Sequence, residues 1–447
     1  MAQYQSSDGL SDLSAMFGGG PSSATPPAPE DPNRRTRRRR NRLIGGLITV
    51  AVVLALVGTY VGLTLNAPVG AAAVSVDRPS TPAPAAAAIA LPQGGEAAVS
   101  ISGADDYLGT KADGIFATTG DSALPMASIS KLITALVVLQ ARPLGTSGKG
   151  PTITFTAADH TLYDHYFLLN ATIASMPTGS TMSEYNALET MLVASACNYA
   201  ATLDEWAFGS NAAFVEATKR WLSAHGLDHT VMVEPTGIDA RNVSTPSDLI
   251  ALGKLVMANP TLASIVAKTA LDIPGFPGMA NTNDLLGTDG IDGIKTGTLG
   301  GSDLLFSSHV SVGLPQELTI TGVVLGGPSR GAVDDDVRTL ITSITNGFHT
   351  NQLGVKGDIV GTYSTPWGSQ AKMVLGRSAS VLTWSNTPIT STMKTSSLKT
   401  GASGETVGQV TWVTGKSTIT IPVLLQGRIR PPSAWWRLTH PSQLLGK

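Results

Sequence analysis

The chain has 447 residues, 42% hydrophobic and 14% charged, with a net charge of −2. That length allows two or three globular domains of ordinary composition. Seven arginines crowd between Arg34 and Arg42, whereas from residue 67 onward 28 acidic residues outweigh 23 basic ones, so the bulk of the chain offers no basic surface for nucleic acid.

Residues 1–42 read as a disordered basic leader, Ser/Gly/Pro/Ala-rich without periodicity and then arginine-rich. Leu43–Leu65 is uncharged over 23 residues, long enough for a transmembrane helix. The arginines ahead of it predict a cytoplasmic N-terminus, with everything beyond the span exported from a single-pass cell-membrane anchor. A cleaved signal peptide, ending near Ala71-Ala-Ala73, is the alternative, although the apolar run and its leader are longer than such signals need. Residues 66–95, rich in Ala and Pro, read as a semi-stiff linker.

The folded part is expected to open near Glu96 with a strand-like alternation. A loop then leads into a helix beginning around Ser128, and a Gly/Pro/Thr-rich section runs to about residue 182. Further helices are predicted over 183–209, 210–225 and from Thr245, where Thr245 caps and Pro246 takes the first turn. A short strand is expected at 231–233. Strands return at 290–296, 304–312 and 318–325, and a last helix runs over about 332–348. Helices between one early strand and three late ones predict an α+β fold, an antiparallel sheet flanked by helices, over residues 96–350. From 351 to 447, Val/Thr/Ser alternation with Gly punctuation predicts a small all-β C-terminal domain. The tail Trp435-Trp436-Arg437-Leu438 is expected to plug that β core, with a membrane-interface belt as the alternative.

The chemistry-bearing stretch is Ser128-Ile-Ser-Lys131, followed by Leu-Ile-Thr-Ala-Leu-Val-Val-Leu139. Three residues apart at a helix start, Ser128 and Lys131 share a face. A serine hydroxyl is a poor nucleophile until a base takes its proton, and an amine kept neutral by burial or by a neighbouring cation can be that base. Ser-x-x-Lys also occurs at Ser391–Lys394 and Ser396–Lys399, in a polar run without an apolar helical stripe, and both read as surface. Two more elements follow: Ser195-Ala-Cys-Asn198, and Lys295-Thr-Gly-Thr298 on a strand entered by Ile291-Asp-Gly-Ile294. A rival Lys399-Thr-Gly401 sits in a polar turn. A single cysteine, Cys197, excludes an intramolecular disulfide. The histidines show no metal-binding spacing, and His160 and His165 read as surface loop, so neither metal nor cofactor is expected.

Ser-x-x-Lys, a middle Ser motif and Lys-Thr-Gly, in that order, resemble the set found in penicillin-binding proteins and class A β-lactamases. With Glu234-Pro-Thr-Gly-Ile-Asp239 and Ser244-Thr-Pro-Ser-Asp-Leu249, the chain is most similar to D-alanyl-D-alanine carboxypeptidases, low-molecular-mass penicillin-binding proteins of the serine-peptidase type. The resemblance implies a peptidoglycan stem peptide ending in D-Ala-D-Ala as substrate and β-lactams as inhibitors. It implies Ser128 as nucleophile, Lys131 as base and Ser195 as proton relay. Lys295, Thr296, Gly297 and Thr298 would hold the substrate, with the backbone N–H groups of Ser128 and Thr298 as oxyanion hole. Arg330, placed by spacing after Lys295, would help hold the terminal carboxylate.

One position departs from the family pattern. Where the family has Ser-x-Asn, the third residue here is Cys197, which offers one weak donor in place of an amide. Asn198 lies one residue late, about 100° around a helix. Cys197 and Asn198 are therefore both carried as candidate substrate contacts. Two alternatives stay open: a catalytically weak penicillin-binding or scaffold homologue, and a β-lactamase using Glu234 to activate water.

Overall fold

The structure is a computed structural model that describes residues 34–77, 79, 84–146 and 148–445. Residues 1–33 of the leader expected to be disordered lie outside the described residues, as does most of the Pro79–Pro84 run, whereas its last part, residues 34–42, is helical. The chain forms two compact units, residues 71–430 and a second made of residues up to 70 together with those from 431 onward.

In the second unit, helix α1 runs over Arg34–Asn66. It begins well ahead of the apolar run because arginine is itself a good helix former. From Thr36 to Asn66 it is long and apolar enough to cross a membrane. Two short C-terminal helices, Ala434–Thr439 and Pro441–Leu445, pack against it. The Tyr60 hydroxyl donates to the Leu438 carbonyl, and Arg437 Nη1 donates to the Ala67 carbonyl at 2.7 Å. The tryptophan pair, expected to plug the β core, sits on a short helix packed on α1, and Trp435 is exposed.

The 71–430 unit starts with a strand that the linker reading did not anticipate. β1, Ala73–Val76, pairs antiparallel with residues 361–364 of the C-terminal sheet. The residues leading to Glu96 also lie against folded structure, where Ala90 N donates to Ser343 Oγ and Ile89 and Leu91 pack on an apolar cluster. Strand β2 is Glu96–Ser102 and β3 is Ala117–Thr118. A 3-10 turn, Ala127–Ile129, then feeds helix α2, Ser130–Ala141.

The Gly/Pro/Thr-rich section, where a surface loop was expected at His160 and His165, contains α3, Ala157–Leu168, which starts with a capping box: Thr156 Oγ1 accepts from Asp159 N, and Asp159 Oδ2 accepts from Thr156 N. His160 and His165 ride on this helix, and His160 Nδ1 lies 3.1 Å from the Met176 carbonyl. The predicted 183–209 helix is broken into α4, Glu184–Val193, and α5, Cys197–Phe208. The break falls at Ser195, whose φ of 61° no helix accepts. Helix α6, Asn211–Ala224, follows a Ser210 cap, and α7, Pro246–Ala258, follows a Thr245 cap with proline in its first turn. The expected 231–233 strand is reduced to one bridge, Val231 to Val243.

β4 (Ile291–Thr298), β5 (Ser302–Val310) and β6 (Leu318–Gly327) complete an antiparallel five-stranded sheet ordered β4-β5-β6-β2-β3. Period-two alternation sends neighbouring residues to opposite faces. Leu305, Val323 and Ile294 pack with helices α2 and α4 to α7, whereas Leu304, Phe306 and Val324 pack under α8, Arg330–Thr345. The C-terminal strands follow: β7 (Ile359–Ser364), β8 (Gln370–Leu375), β9 (Thr390–Thr395), β10 (Thr406–Thr414) and β11 (Ser417–Gly427). Their sheet is ordered β1-β7-β8-β11-β10-β9, around Trp412, Tyr363 and Met373. Ser391 and Lys394, one of the rival Ser-x-x-Lys pairs, fall on strand β9 and not on a helix.

Candidate active site

The site is assembled where the 3-10 turn carrying Ser128 packs against β4. A Cβ built on Gly297 would stand 3.1 Å from the Ala127 Cβ, so only glycine leaves the turn this close to the Lys-Thr-Gly strand. Ala127 itself has a φ of 42°, a left-handed conformation that turns the chain into the Ser128 step. The apolar face of α2, Leu132, Ile133, Ala135, Val137 and Val138, is wholly buried and anchors the turn from behind.

Ser128 is partly exposed, while Lys131, one turn on, is completely buried. Lys131 Nζ donates to Ser128 Oγ at 2.9 Å and to the Thr236 carbonyl at 2.7 Å. The second acceptor comes from the turn 234–242, which is itself tightly built. Glu234 accepts from Thr236 N (2.7 Å), Thr236 Oγ1 (2.6 Å), Gly237 N (2.6 Å) and Asn242 Nδ2 (3.0 Å). The turn grips the nucleophile's element directly, because Thr134 Oγ1 donates to the Pro235 carbonyl at 2.7 Å and Asn242 Nδ2 to Ser130 Oγ at 3.2 Å. Both Glu234 oxygens are thereby taken, which leaves no lone carboxylate to activate a water.

Lys295 is 2% exposed and donates to Thr282 Oγ1 and to the Thr296 carbonyl, both at 3.3 Å. Burial, then the charges of Lys131 and Arg330, hold its amine well below the usual lysine range, opposed weakly by Cys197. The cationic side chains of Lys131 and Arg330 beside Lys295 make the site attractive to an anion. Thr282 ties the remaining parts together. Its hydroxyl lies 2.6 Å from Thr296 Oγ1, its carbonyl accepts from Arg330 Nη1 at 2.7 Å, and its N–H donates to the Val193 carbonyl at 3.3 Å, two residues before Ser195. Thr298, at the exposed end of β4, faces solvent.

Beside this strand, on β5, lies Asp303, paired in register with Gly297 and 5% exposed. Its Oδ1 accepts from Gly326 N at 2.8 Å, at the turn that leads to Arg330, and burial pushes its carboxyl up to about 6.

The two candidates of the middle motif part company. Cys197 is buried against Tyr166 and Ala201 and is a near neighbour of Lys295. Asn198 does not face the site. It is fully buried, its Nδ2 donating to the Ala174 carbonyl at 2.8 Å and its Oδ1 accepting from Ala174 N at 3.1 Å. Helix α5 starts at Cys197, so the next residue is rotated about 100° away and clamps a loop. The structure brings Ser128, Lys131, Lys295, Thr296, Gly297 and Arg330 into one neighbourhood. The Thr236 carbonyl and Thr282, which sequence reasoning missed, complete the surroundings of both lysines. Thr236 stood within a quoted stretch, but a backbone acceptor has no residue signature.

Residues 114–328 match the peptidase S11 family, described as D-alanyl-D-alanine carboxypeptidase. The D-alanyl-D-alanine endopeptidase of Escherichia coli (strain K12) is 35% identical over 139 residues, which cover 31% of this chain and 41% of that protein. The protein of the same name from Pseudomonas aeruginosa is 32% identical over 178 residues, covering 38% and 54%. The chain thus spans about half the length of these curated relatives. Penicillin binding protein 5 from Haemophilus influenzae superposes with a TM-score of 0.50 at 18% identity, over 75% of this chain and 98% of that one, a likeness of fold. The resemblance read from the motifs, and the antiparallel sheet flanked by helices with β strands beyond, both stand on these matches.

Proposed function

We propose, from a chain whose residues 114–328 match the D-alanyl-D-alanine carboxypeptidase family, that the protein is a serine peptidase of the cell wall which removes the terminal D-alanine from peptidoglycan stem peptides. The observation that carries the reading is Lys131 Nζ, fully buried and 2.9 Å from the oxygen of a partly exposed serine. Ser128 Oγ attacks the carbonyl between the two D-alanines and forms an acyl-enzyme as its proton passes to Lys131. Ser195 relays that proton to the departing D-alanine, and water then releases the acyl group. Lys295 and Arg330 draw the substrate's terminal carboxylate, and Thr296 and Thr298 bind it through their hydroxyls. The N–H groups of Ser128 and Thr298 hold the oxyanion, a contribution typically worth about 10²–10³ in rate per donor. Penicillins would acylate the same serine. The reading divides the chain into an α1 anchor with its N-terminus in the cytoplasm, a linker to residue 95, a catalytic region over 96–350 and a β-rich region over 351–447.

The names of the two bacterial relatives favour a second specificity, cleavage of D-alanyl cross-links by the same acyl-enzyme. A β-lactamase reading is disfavoured because Glu234 is committed on both oxygens. The test is intact-mass analysis of the detergent-solubilised full chain with a penicillin, beside Ser128→Ala, followed by assay on a D-Ala-D-Ala peptide and on a cross-linked dimer. A persistent adduct absent from the variant, with free D-alanine released from the peptide, is the expected result. Release from the dimer alone favours the second specificity. A folded wild type that forms no adduct refutes the catalytic reading and leaves the scaffold role, for which Cys197 is the sequence argument.

A further inference from the structure

The C-terminal segment returns to the anchor helix and carries an exposed aromatic residue. Trp435 is 75% exposed, among the most exposed large apolar side chains outside α1. Its helix is not loosely attached, because Arg437 reaches the Ala67 carbonyl and Tyr60 reaches the Leu438 carbonyl. On α1 itself, residues 36–60 are exposed, whereas Thr64 is fully buried, as is Ala67 just beyond the helix at 6% exposed. The covered part is thus the end of the apolar stretch, where a spanning helix leaves the hydrocarbon. Tyr60 bonds at that level to the helix that carries Trp435 and Trp436, and tyrosine and tryptophan favour it because their rings are apolar and their polar atoms wet. The charge fits as well. Within residues 431–447 the chain has no acidic residue and carries Arg437 and Lys447.

We propose that the C-terminal helices Ala434–Thr439 and Pro441–Leu445 form an interfacial collar around the outer end of α1, with Trp435 seated among the lipid headgroups of the leaflet that the span exits. The occupant of this face is the bilayer itself, including its anionic phospholipids, since binding of such segments grows with buried apolar area and with basic charge. The proposal rests on the reading of α1 as a membrane anchor. The collar ties the C-terminal segment to the end of the anchor at the membrane surface.

The test uses the full chain reconstituted in vesicles of phosphatidylcholine and phosphatidylglycerol, either plain or brominated near the head of the acyl chains. Flotation reports whether α1 inserts. Tryptophan emission is compared between wild type and Trp435→Phe, a change at an exposed position that removes the reporter and keeps an aromatic contact. In the floating wild type, brominated lipid is expected to quench a share of emission on the order of one tryptophan in the chain's seven, and that share disappears in the variant. Flotation without any bromine-dependent loss assignable to Trp435 overturns the collar and leaves the anchor standing. Failure to float overturns both.

Discussion

Replacing Asp303 with asparagine should stabilise the protein in a way that depends on pH, and the dependence is the diagnostic part. Burial moves this carboxyl from 3.8 to about 6. At neutral pH the group is therefore ionised at a cost of ~3 kcal/mol relative to its unfolded state, taking about 1.36 kcal/mol per tenfold shift. The folded value lies above the unfolded one, so between about 4 and 6 the native state holds a proton that the unfolded state has lost. Stability consequently falls as pH rises through that window, and the full cost applies above about pH 6. The substituted amide still accepts from Gly326 N but places an N–H against Gly297, a cost that does not change with pH. The difference in stability between D303N and wild type should thus swing by about 2 kcal/mol in the variant's favour between pH 4 and pH 8, whatever its absolute offset. The assay is thermal unfolding of both proteins in the same detergent at a series of pH values. A difference in midpoint that stays constant from pH 4 to pH 8 would refute the reasoning, because it would mean Asp303 titrates alike in both states.

Three further outcomes are expected. Lys131→Met, similar in volume and without an amine, should slow acylation of Ser128 by penicillin by about 10²–10⁴ with the fold retained, read by intact mass and circular dichroism. Glu234→Gln presents an amide N–H to a ring of donors and should cost about 3 kcal/mol in unfolding, without changing the rate at which a penicillin adduct clears; faster accumulation of adduct in the variant would revive a hydrolytic role for Glu234. Gly237 has a φ of 81°, and a Cβ there would stand 1.7 Å from the Ala127 carbonyl oxygen. Gly237→Ala should therefore destabilise by about 3 kcal/mol and slow acylation, since it displaces the turn that carries Ser128; wild-type acylation in G237A would show that the contact is not needed.

Elements with local punctuation were readable from the sequence. Helices α6 and α7 start within one residue of their expected positions, because Ser210, Thr245 and Pro246 write their starts into the sequence. Four strands of the five-stranded sheet were readable, but β3, only Ala117–Thr118, was not. Helix α3 escaped notice because only Tyr166 of its side chains is buried, so it shows almost no apolar stripe, and its neighbourhood is rich in glycine, proline and threonine. β1 escaped because four residues, Ala-Val-Ser-Val, make a strand only when a partner is present. In the site, side-chain chemistry in ordered motifs was legible for Ser128, Lys131 and Lys295. The roles of Thr236 and Thr282 were not, since a carbonyl and an unremarkable hydroxyl acquire meaning only from what folding sets beside them. Asn198 shows the reverse case: a residue type suited to substrate contact, turned away by helix phase.

The pairing of Ala73 with Ser364 has a consequence for how the molecule is made. It joins positions 291 residues apart (364 minus 73), about as non-local as a strand pair can be in this chain, and loop closure of that span must precede any gain from four residues of ladder. The edge of the C-terminal sheet is therefore expected to be among the last parts to zip shut. Until it does, the edge backbone of residues 361–364 is an open template for another strand. A nascent chain crowded among copies of itself would be most prone to mispair there, and a proline placed at Val74 would expose that hazard without touching the site.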